Sequence, residues 1–345
     1  MAPPTMPAVL WTGDDVLELR DVDIPQPPPG WALVEVAYTG ICGTDLAIVH
    51  GKHPRARHGL ILGHEISGRV VREAPTGPRN GAPVVVEPLI SCGRCRACRR
   101  GDTHVCRDLG LYGIDVPGSL ARYVALPPEV LHEVPAGVDL RLAALVEPLA
   151  VAVHAVALSG LVPGDTVAVA GAGPIGILTA LTARHAGAER VIVSETSPAR
   201  RALAEQLGLT VVPAGRTLTA AALELTDGEG VDVTFDAAGH PAVAPELTAA
   251  TRVGGTVVIV AVHKEPTPLD LREVCFKELV VRGVRVYTTD DVRRAIELVA
   301  DSSLGLDRLP TRAFPLAEAA QAVAAAGAAE YLKVLVASHD EDADS

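Results

Sequence analysis

The run Gly171-Ala-Gly173-Pro174-Ile175-Gly176 constrains this chain more than any other feature, because of what stands on either side of it. Residues 166–170 (TVAVA) read as a short apolar strand, and a helical stretch continues to His185, so the G-x-G-x-x-G pattern lies between strand and helix. The first glycine permits a tight turn, the second lets a pyrophosphate approach the backbone, and the third lets helix and strand pack closely. The phosphates then face free N–H groups at the helix N-terminus. The next apolar segment, 191–194, ends at Glu195. A carboxylate there accepts hydrogen bonds from both adenosine-ribose hydroxyls and repels the 2′-phosphate of NADP, which selects NAD. The other reading of Glu195 is a solvated acid at a strand end. Ser197-Pro198 forms an N-cap and N1 pair that sets Arg200 in a first helical turn, either within reach of the ribose or on the surface.

Apolar runs at 166–170, 191–194, 231–236 and 256–262 alternate with helical stretches, which predicts a parallel sheet with crossover helices. Residues 1–146 have another texture: short alternating segments such as 31–38 (WALVEVAY), broken by turn signals such as Pro-Pro-Pro-Gly, predict a β-rich domain. A long small-apolar segment at 147–157 marks the boundary. Residues 147–285 form the parallel-sheet domain, and 286–345 add helical segments at 291–300 and 316–326, a last strand at 333–336, and a frayed acidic tail from His339. A chain of 345 residues is long enough for two cores.

Composition narrows the partners. The net charge of −12 disfavours a nucleic-acid surface, and no apolar run approaches the roughly 20 residues that cross a bilayer. The opening MAPPTMPAVLWTGDD lacks a basic start followed by an apolar stretch, so the expected compartment is a reducing cytoplasm. There the spacing C-x₂-C-x₂-C-x₇-C of Cys92, Cys95, Cys98 and Cys106 reads as a closed tetrahedral zinc site, ahead of disulfides or an iron–sulfur cluster. Four thiolates leave no vacancy for substrate, so that zinc is structural and pins a lobe at about residues 88–110. Arg94, Arg96, Arg99 and Arg100 either offset the site's charge or face solvent. Cys275, without cysteine neighbours, reads as a buried small apolar residue.

A second constellation, Cys42-Gly-Thr44-Asp45 with Gly63-His64-Glu65, is weak in its separate pieces. Taken in order with the four-cysteine lobe, Glu147-Pro-Leu-Ala, the glycine run and Glu195, it resembles the zinc-dependent medium-chain dehydrogenase/reductase family. The likeness covers nearly the whole chain and is greatest to the branch of sorbitol, butanediol, threonine and aminocyclitol dehydrogenases. The resemblance implies an α/β chain with a GroES-like β-rich catalytic domain, to which residues 286–345 return, and a Rossmann domain of doubly wound parallel sheet.

The resemblance also implies the chemistry. Cys42 and His64 match ligands of a catalytic zinc. Glu65 matches a carboxylate that binds the metal or sits just behind it, and Glu147 stands where relatives have a third ligand. Asp45 matches a residue that orients the zinc-bound imidazole, unless it is only a turn or cap carboxylate. Thr44 matches the hydroxyl that accepts the alcohol proton, unless it merely packs. Zinc would polarise the substrate oxygen while hydride passes to NAD. Ala47 stands where a histidine often completes the proton relay, which leaves His50 and His53 as substitutes. The implied function is hydride transfer between NAD and a secondary alcohol or ketone of a polyol, diol or (amino)cyclitol, with two zinc ions per chain. The implied assembly is a homodimer or homotetramer formed through the Rossmann edge strand near 256–262 and the segment after it. The alternatives are an NADPH-linked carbonyl reductase on the same scaffold and a non-catalytic dinucleotide-binding protein.

Overall fold

The computed structural model describes residues 4–13, 15–328, 330–339 and 343, so most of the expected acidic tail lies outside the described residues. The chain divides into two compact units. One comprises Met1–Glu147, Ala295–Ser302 and Leu309–Ser345, and the other Pro148–Arg294 and Ser303–Arg308. The chain re-enters the first unit within helix Thr289–Ala300, later than the 286 read from sequence.

Among the described residues of the first unit, a mostly antiparallel sheet runs in the order Leu131–Glu133, Pro83–Val86, Glu65–Arg72, Ala32–Gly40, Lys333–Ala337, Thr311–Pro315. Ala32, Val34 and Val36 of the central strand enter one core with Ile66, Val84 and Leu126. Each fully buried Val or Leu stabilises by about 1.5–3 kcal/mol. A second core packs Ile41, Ile48, Leu62, Val334 and Val336 together, and so holds the short helix Gly43–Val49 against the returning C-terminal strand. That strand pairs antiparallel with Ala32–Gly40, Leu335 opposite Gly40, which brings residue 333 beside residues 40–42.

The second unit holds a six-stranded, all-parallel sheet in the order Thr210–Val211, Arg190–Ser194, Thr166–Ala170, Val231–Asp236, Thr251–Ile259, Val280–Gly283. The strand order reverses between Thr166–Ala170 and Val231–Asp236, the switch point of a doubly wound fold. Thr166–Ala170 is buried throughout, as a central strand covered on both faces must be.

Three expectations are corrected here. The segment expected at 256–262 is strand Thr251–Ile259, which lies inside the sheet; the edge on that side belongs to Val280–Gly283, whose short run did not stand out as a strand. Val262, beyond the strand, is 90% exposed. Cys275 is exposed rather than buried, because its six-residue helix Leu271–Phe276 flanks that edge with Leu271 and Phe276 also open to solvent. The helix expected at 316–326 begins as a 3₁₀ turn, Leu316–Glu318, before helix Ala319–Ala328. No helix among the described residues is long and apolar enough to cross a membrane.

Candidate active site and metal centres

In the cysteine lobe the sulfurs of Cys92, Cys95, Cys98 and Cys106 all lie within 4.8 Å of one another. Cys95 Sγ stands 3.5 Å from Cys98 Sγ and 4.0 Å from Cys106 Sγ. Tetrahedral zinc with bonds of about 2.3 Å sets its sulfurs about 3.8 Å apart, whereas a disulfide needs about 2.05 Å. The set therefore fits zinc, and all six cysteines are free. Backbone N–H groups of Cys98 and Arg107 pull the Cys95 thiol down to about 6, while burial and the neighbouring thiols push Cys98 up to about 11. Four sulfurs this close cannot all ionise without a cation among them. Arg94, Arg96, Arg99 and Arg100 are all exposed to solvent.

The second cluster is assembled around the start of helix Gly43–Val49. Cys42 is its N-cap, and Asp45, fully buried, accepts the Cys42 N–H through Oδ2 at 2.8 Å. The other oxygen, Oδ1, faces His64 Nδ1 at 3.6 Å. Asp45 thus serves both as helix cap and as the carboxylate behind the imidazole. Ligand atoms of Cys42, His64 and Glu65 lie within 4.8 Å of one another, with His64 and Glu65 buried. Burial presses the His64 imidazole toward neutrality, but Asp45 and then Cys42 outweigh it and hold its pKa well above the ordinary value. Asp45 Oδ1 and His64 Nδ1 are buried without hydrogen-bond partners, while both Glu65 oxygens meet the Lys333 ammonium. A thiol, an imidazole and a carboxylate with ligand atoms this close are the donor set of a mixed S/N/O zinc centre, and the cluster fits that ion.

The remaining candidates take different places. Thr44 is part-exposed, its Oγ1 3.8 Å from Cys42 Sγ. Glu147, in the first turn of helix Val146–Ser159, is outside the three-residue cluster but raises the pKa of Lys333 through its charge. His50 caps the far end of helix Gly43–Val49, exposed, with Nδ1 2.5 Å from Asp15 Oδ1. His53, its pKa lowered by partial burial and by Arg55, is on the following loop. Neither histidine joins the cluster.

Lys333 is a residue that sequence reasoning missed. It is 4% exposed, contacts Glu65 with Nζ 2.5 Å from Oε1, and donates to the Ile41 carbonyl at 2.9 Å. Burial works against its charge, yet Glu65 and Cys42 raise its pKa above the ordinary lysine value. Gly40 makes the room: a Cβ there would collide with Glu65 Oε2 and lie 2.9 Å from Lys333 Cε. The available signal was a lysine opening the apolar run KVLVA in a chain with four lysines in all.

In the second unit, Gly171, Gly173, Glu195, Arg200, Ala238 and His240 border a cavity of about 900 Å³. Gly171 turns at φ +99°, and a Cβ there would lie 3.0 Å from Ala238 N. Gly173 is the N-cap of helix Pro174–His185 and supplies no side chain, so the N–H groups of the first turn, about Ile175 and Gly176, remain for ligand oxygens. Glu195 accepts N–H groups from Ala172 at 3.0 Å, Thr196 at 2.7 Å and Ser197 at 2.9 Å. Burial raises its pKa, but these donors and Arg200 bring it below the ordinary carboxyl value. Arg200 Nη1 stands 4.0 Å from Glu195 Oε2, on the cavity wall.

A glycine turn at the switch point of a parallel sheet, joined in one chain to a buried Cys–His–Glu centre, defines a zinc-dependent oxidoreductase that uses a nicotinamide dinucleotide. Comparison with known proteins agrees. A family model described as the alcohol dehydrogenase GroES-like domain matches residues 28–136, and one described as zinc-binding dehydrogenase matches 174–301. The chain is 40% identical to 2-dehydro-3-deoxy-L-galactonate 5-dehydrogenase of Pseudoalteromonas atlantica, over 86% of this chain and 88% of that protein. It is 38% identical to L-threonine 3-dehydrogenase of Pyrococcus abyssi, over 77% and 79% of the two chains. The crystal structure of a zinc-binding dehydrogenase from Sinorhizobium meliloti bound to NADP matches with a TM-score of 0.91 at 37% identity, covering 97% of this chain and 99% of that one. The chain belongs to the zinc-dependent medium-chain dehydrogenase family, and it acts on secondary alcohols.

Proposed function

We propose that the chain oxidises a secondary hydroxyl of a polyhydroxylated small molecule with NAD as acceptor, and that it carries one catalytic and one structural zinc. The observation that carries this reading is the Cys42–His64–Glu65 cluster, whose ligand atoms lie within 4.8 Å of one another. Zinc bound there supplies Lewis acidity that lowers the pKa of a substrate hydroxyl. Cys42, His64 and Glu65 would hold it, with Glu147 behind them. Asp45 keeps the His64 ring in register, and the Thr44 hydroxyl beside Cys42 accepts the substrate proton. His50 or His53 then passes that proton outward, since Ala47 has no group that can titrate. Unchanged pH–rate profiles in His50→Ala and His53→Ala variants, alone and combined, would remove both from the route.

Glu195 supports NAD: its carboxylate is fixed by three N–H groups, stays ionised, and meets a 2′-phosphate with like charge. Arg200, Arg201 and Arg216 on the same cavity wall favour the rival reading, a preference for NADP. Glu195→Ser is expected to shift the NAD:NADP ratio of kcat/KM by about tenfold or more toward NADP, the loss of one well-placed pair of ribose hydrogen bonds. Equal use of both coenzymes by the parent protein would defeat the assignment.

Among polyhydroxylated substrates, sugar acids fit best. The loop 52–58 (KHPRARH), which joins the helix after Cys42 to the strand before His64, exposes Lys52 and Arg57 in a chain of net charge −12. Such a loop favours a carboxylate-bearing substrate. A homodimer built by sheet extension is supported by the exposed Val280 and Val281 of the edge strand and by Phe276 beside it. An NADH-formation screen of aldonates, alditols, diols, aminocyclitols and threonine tests the substrate class. Turnover of alditols alone would sink the sugar-acid reading.

A further inference from the structure

Asp236 ends the strand Val231–Asp236 and is fully buried, yet it belongs to neither metal centre. Its backbone carbonyl accepts N–H groups from Val260 at 3.0 Å and Ala261 at 2.9 Å. Its side-chain Oδ1 accepts from Ala238 at 3.0 Å and Gly239 at 2.9 Å, and Oδ2 lies 2.6 Å from His263 Nε2. One residue thus gathers five donors from two different loops. The other ring nitrogen of His263 lies 2.9 Å from the Thr267 hydroxyl, within the same loop. The loops also touch through their backbones: Gly239 turns at φ +61°, and a Cβ there would lie 3.0 Å from Ala261 Cβ and 3.3 Å from the Val262 carbonyl.

In doubly wound sheets a dinucleotide lies across the carboxyl ends of the strands at the switch point. Glu195 takes the adenosine half on one side of the glycine turn. The pyridine half therefore lies over the carboxyl ends of Val231–Asp236 and Thr251–Ile259, where these two loops begin. Ala237 and Ala238 of the first loop border the same cavity as Gly171. The second loop presents Val262, 90% exposed, an apolar side chain with the character of a ring-contacting surface.

We propose that His263 is a positioning residue: held by Asp236 and Thr267, it fixes residues 260–267 in the shape that receives the pyridine nucleoside. A loop released from that anchor has to be ordered at the moment of binding, and the lost freedom is subtracted from affinity. The proposal rests on the dinucleotide reading of the cavity, and binding measurements on the intact, zinc-loaded protein separate the two. NADH affinity is read from the change in its own fluorescence and ADP-ribose affinity by calorimetry. His263→Ala is expected to weaken NADH by about tenfold and leave ADP-ribose within about twofold. His263→Gln, which keeps an N–H near the Nε2 position, should recover most of the loss. Should His263→Ala not fold, Thr267→Val loosens the ring from its other side and is read the same way, with a smaller loss of NADH affinity.

Equal weakening of both ligands, or no change in NADH, overturns the proposal. A parent protein that binds neither ligand overturns the dinucleotide reading and this inference with it. Binding of NADPH in place of NADH overturns only the coenzyme preference, and the comparison with ADP-ribose then runs with NADPH.

Discussion

The two candidate metal centres of the first unit are built on opposite plans. The cysteine lobe takes four ligands of one kind from fifteen consecutive residues, and the arginines between them point to solvent. The Cys42–His64–Glu65 centre takes three kinds of ligand from two segments, is buried, and is completed by Lys333, 268 residues from Glu65. A centre of the first kind needs little beyond its own ligands, so spacing reveals it. In the second kind the protein itself balances charge around the ligands, and that balance comes from whatever strand the topology places alongside.

The largest expected effect breaks the first plan. On the two-zinc reading proposed above, Cys106→Ser removes a ligand from the cysteine lobe, and zinc binding contributes about 10–16 kcal/mol in isolated zinc-finger peptides. Zinc content should fall from two ions per chain to one, with rapid protease cleavage within residues 88–110. His64→Gln makes the opposite break: also one zinc lost, an unchanged protease pattern, and turnover down by roughly 10³-fold, as expected when several kcal/mol of Lewis-acid stabilisation disappears. If both variants show the same protease pattern, the division into a structural and a catalytic centre fails.

Lys333→Met sharpens the comparison. In the metal-free protein it leaves the Glu65 carboxylate buried without its cation, which costs about 3–5 kcal/mol when one partner of such a pair is removed. Bound zinc takes over part of that role. The melting temperature should therefore fall well below the parent's after chelation and recover by more than half of the difference when zinc is restored. An equal loss with and without zinc would show that Glu65 does not share its charge with the metal.

The same distinction explains what could be read in advance. The glycine turn, Glu195 and the four cysteines are local patterns, each a few residues long with a direct geometric requirement, and their sequence positions predicted the geometry that the structure shows. Asp45 was legible as either cap or imidazole partner, and the structure sets one oxygen on the Cys42 N–H and the other 3.6 Å from His64 Nδ1. Lys333 and the Asp236–His263 link were not legible, because each joins residues that only sheet pairing or two successive strand ends bring together. The edge strand Val280–Gly283 was missed for another reason. Its outward apolar residues break the rule that apolar means buried, which also misled the reading of Cys275.

The smallest expected effect comes from a buried carboxylate–imidazole contact in the second unit that has no metal beside it. Asp291 lies 2.8 Å from His154 and accepts from Thr288 N–H at 2.8 Å and the Thr288 hydroxyl at 2.6 Å. Burial raises the Asp291 pKa, but His154 and Thr288 more than reverse it, leaving the folded value below the ordinary 3.8. The ionised carboxylate therefore stabilises the fold at pH values above about 4, and that contribution is lost as pH falls through the lowered folded value. Asp291→Asn should melt a few degrees below the parent at pH 7, consistent with about 2–4 °C per kcal/mol for a domain of this size. The gap should hold at pH 5 and narrow below pH 4, read as the difference between the two proteins so that other acid-sensitive groups cancel. A gap that widens in acid would mean that Asp291 is held neutral in the fold. Its pairing with His154 would then be a neutral hydrogen bond, unlike the Glu65–Lys333 ion pair.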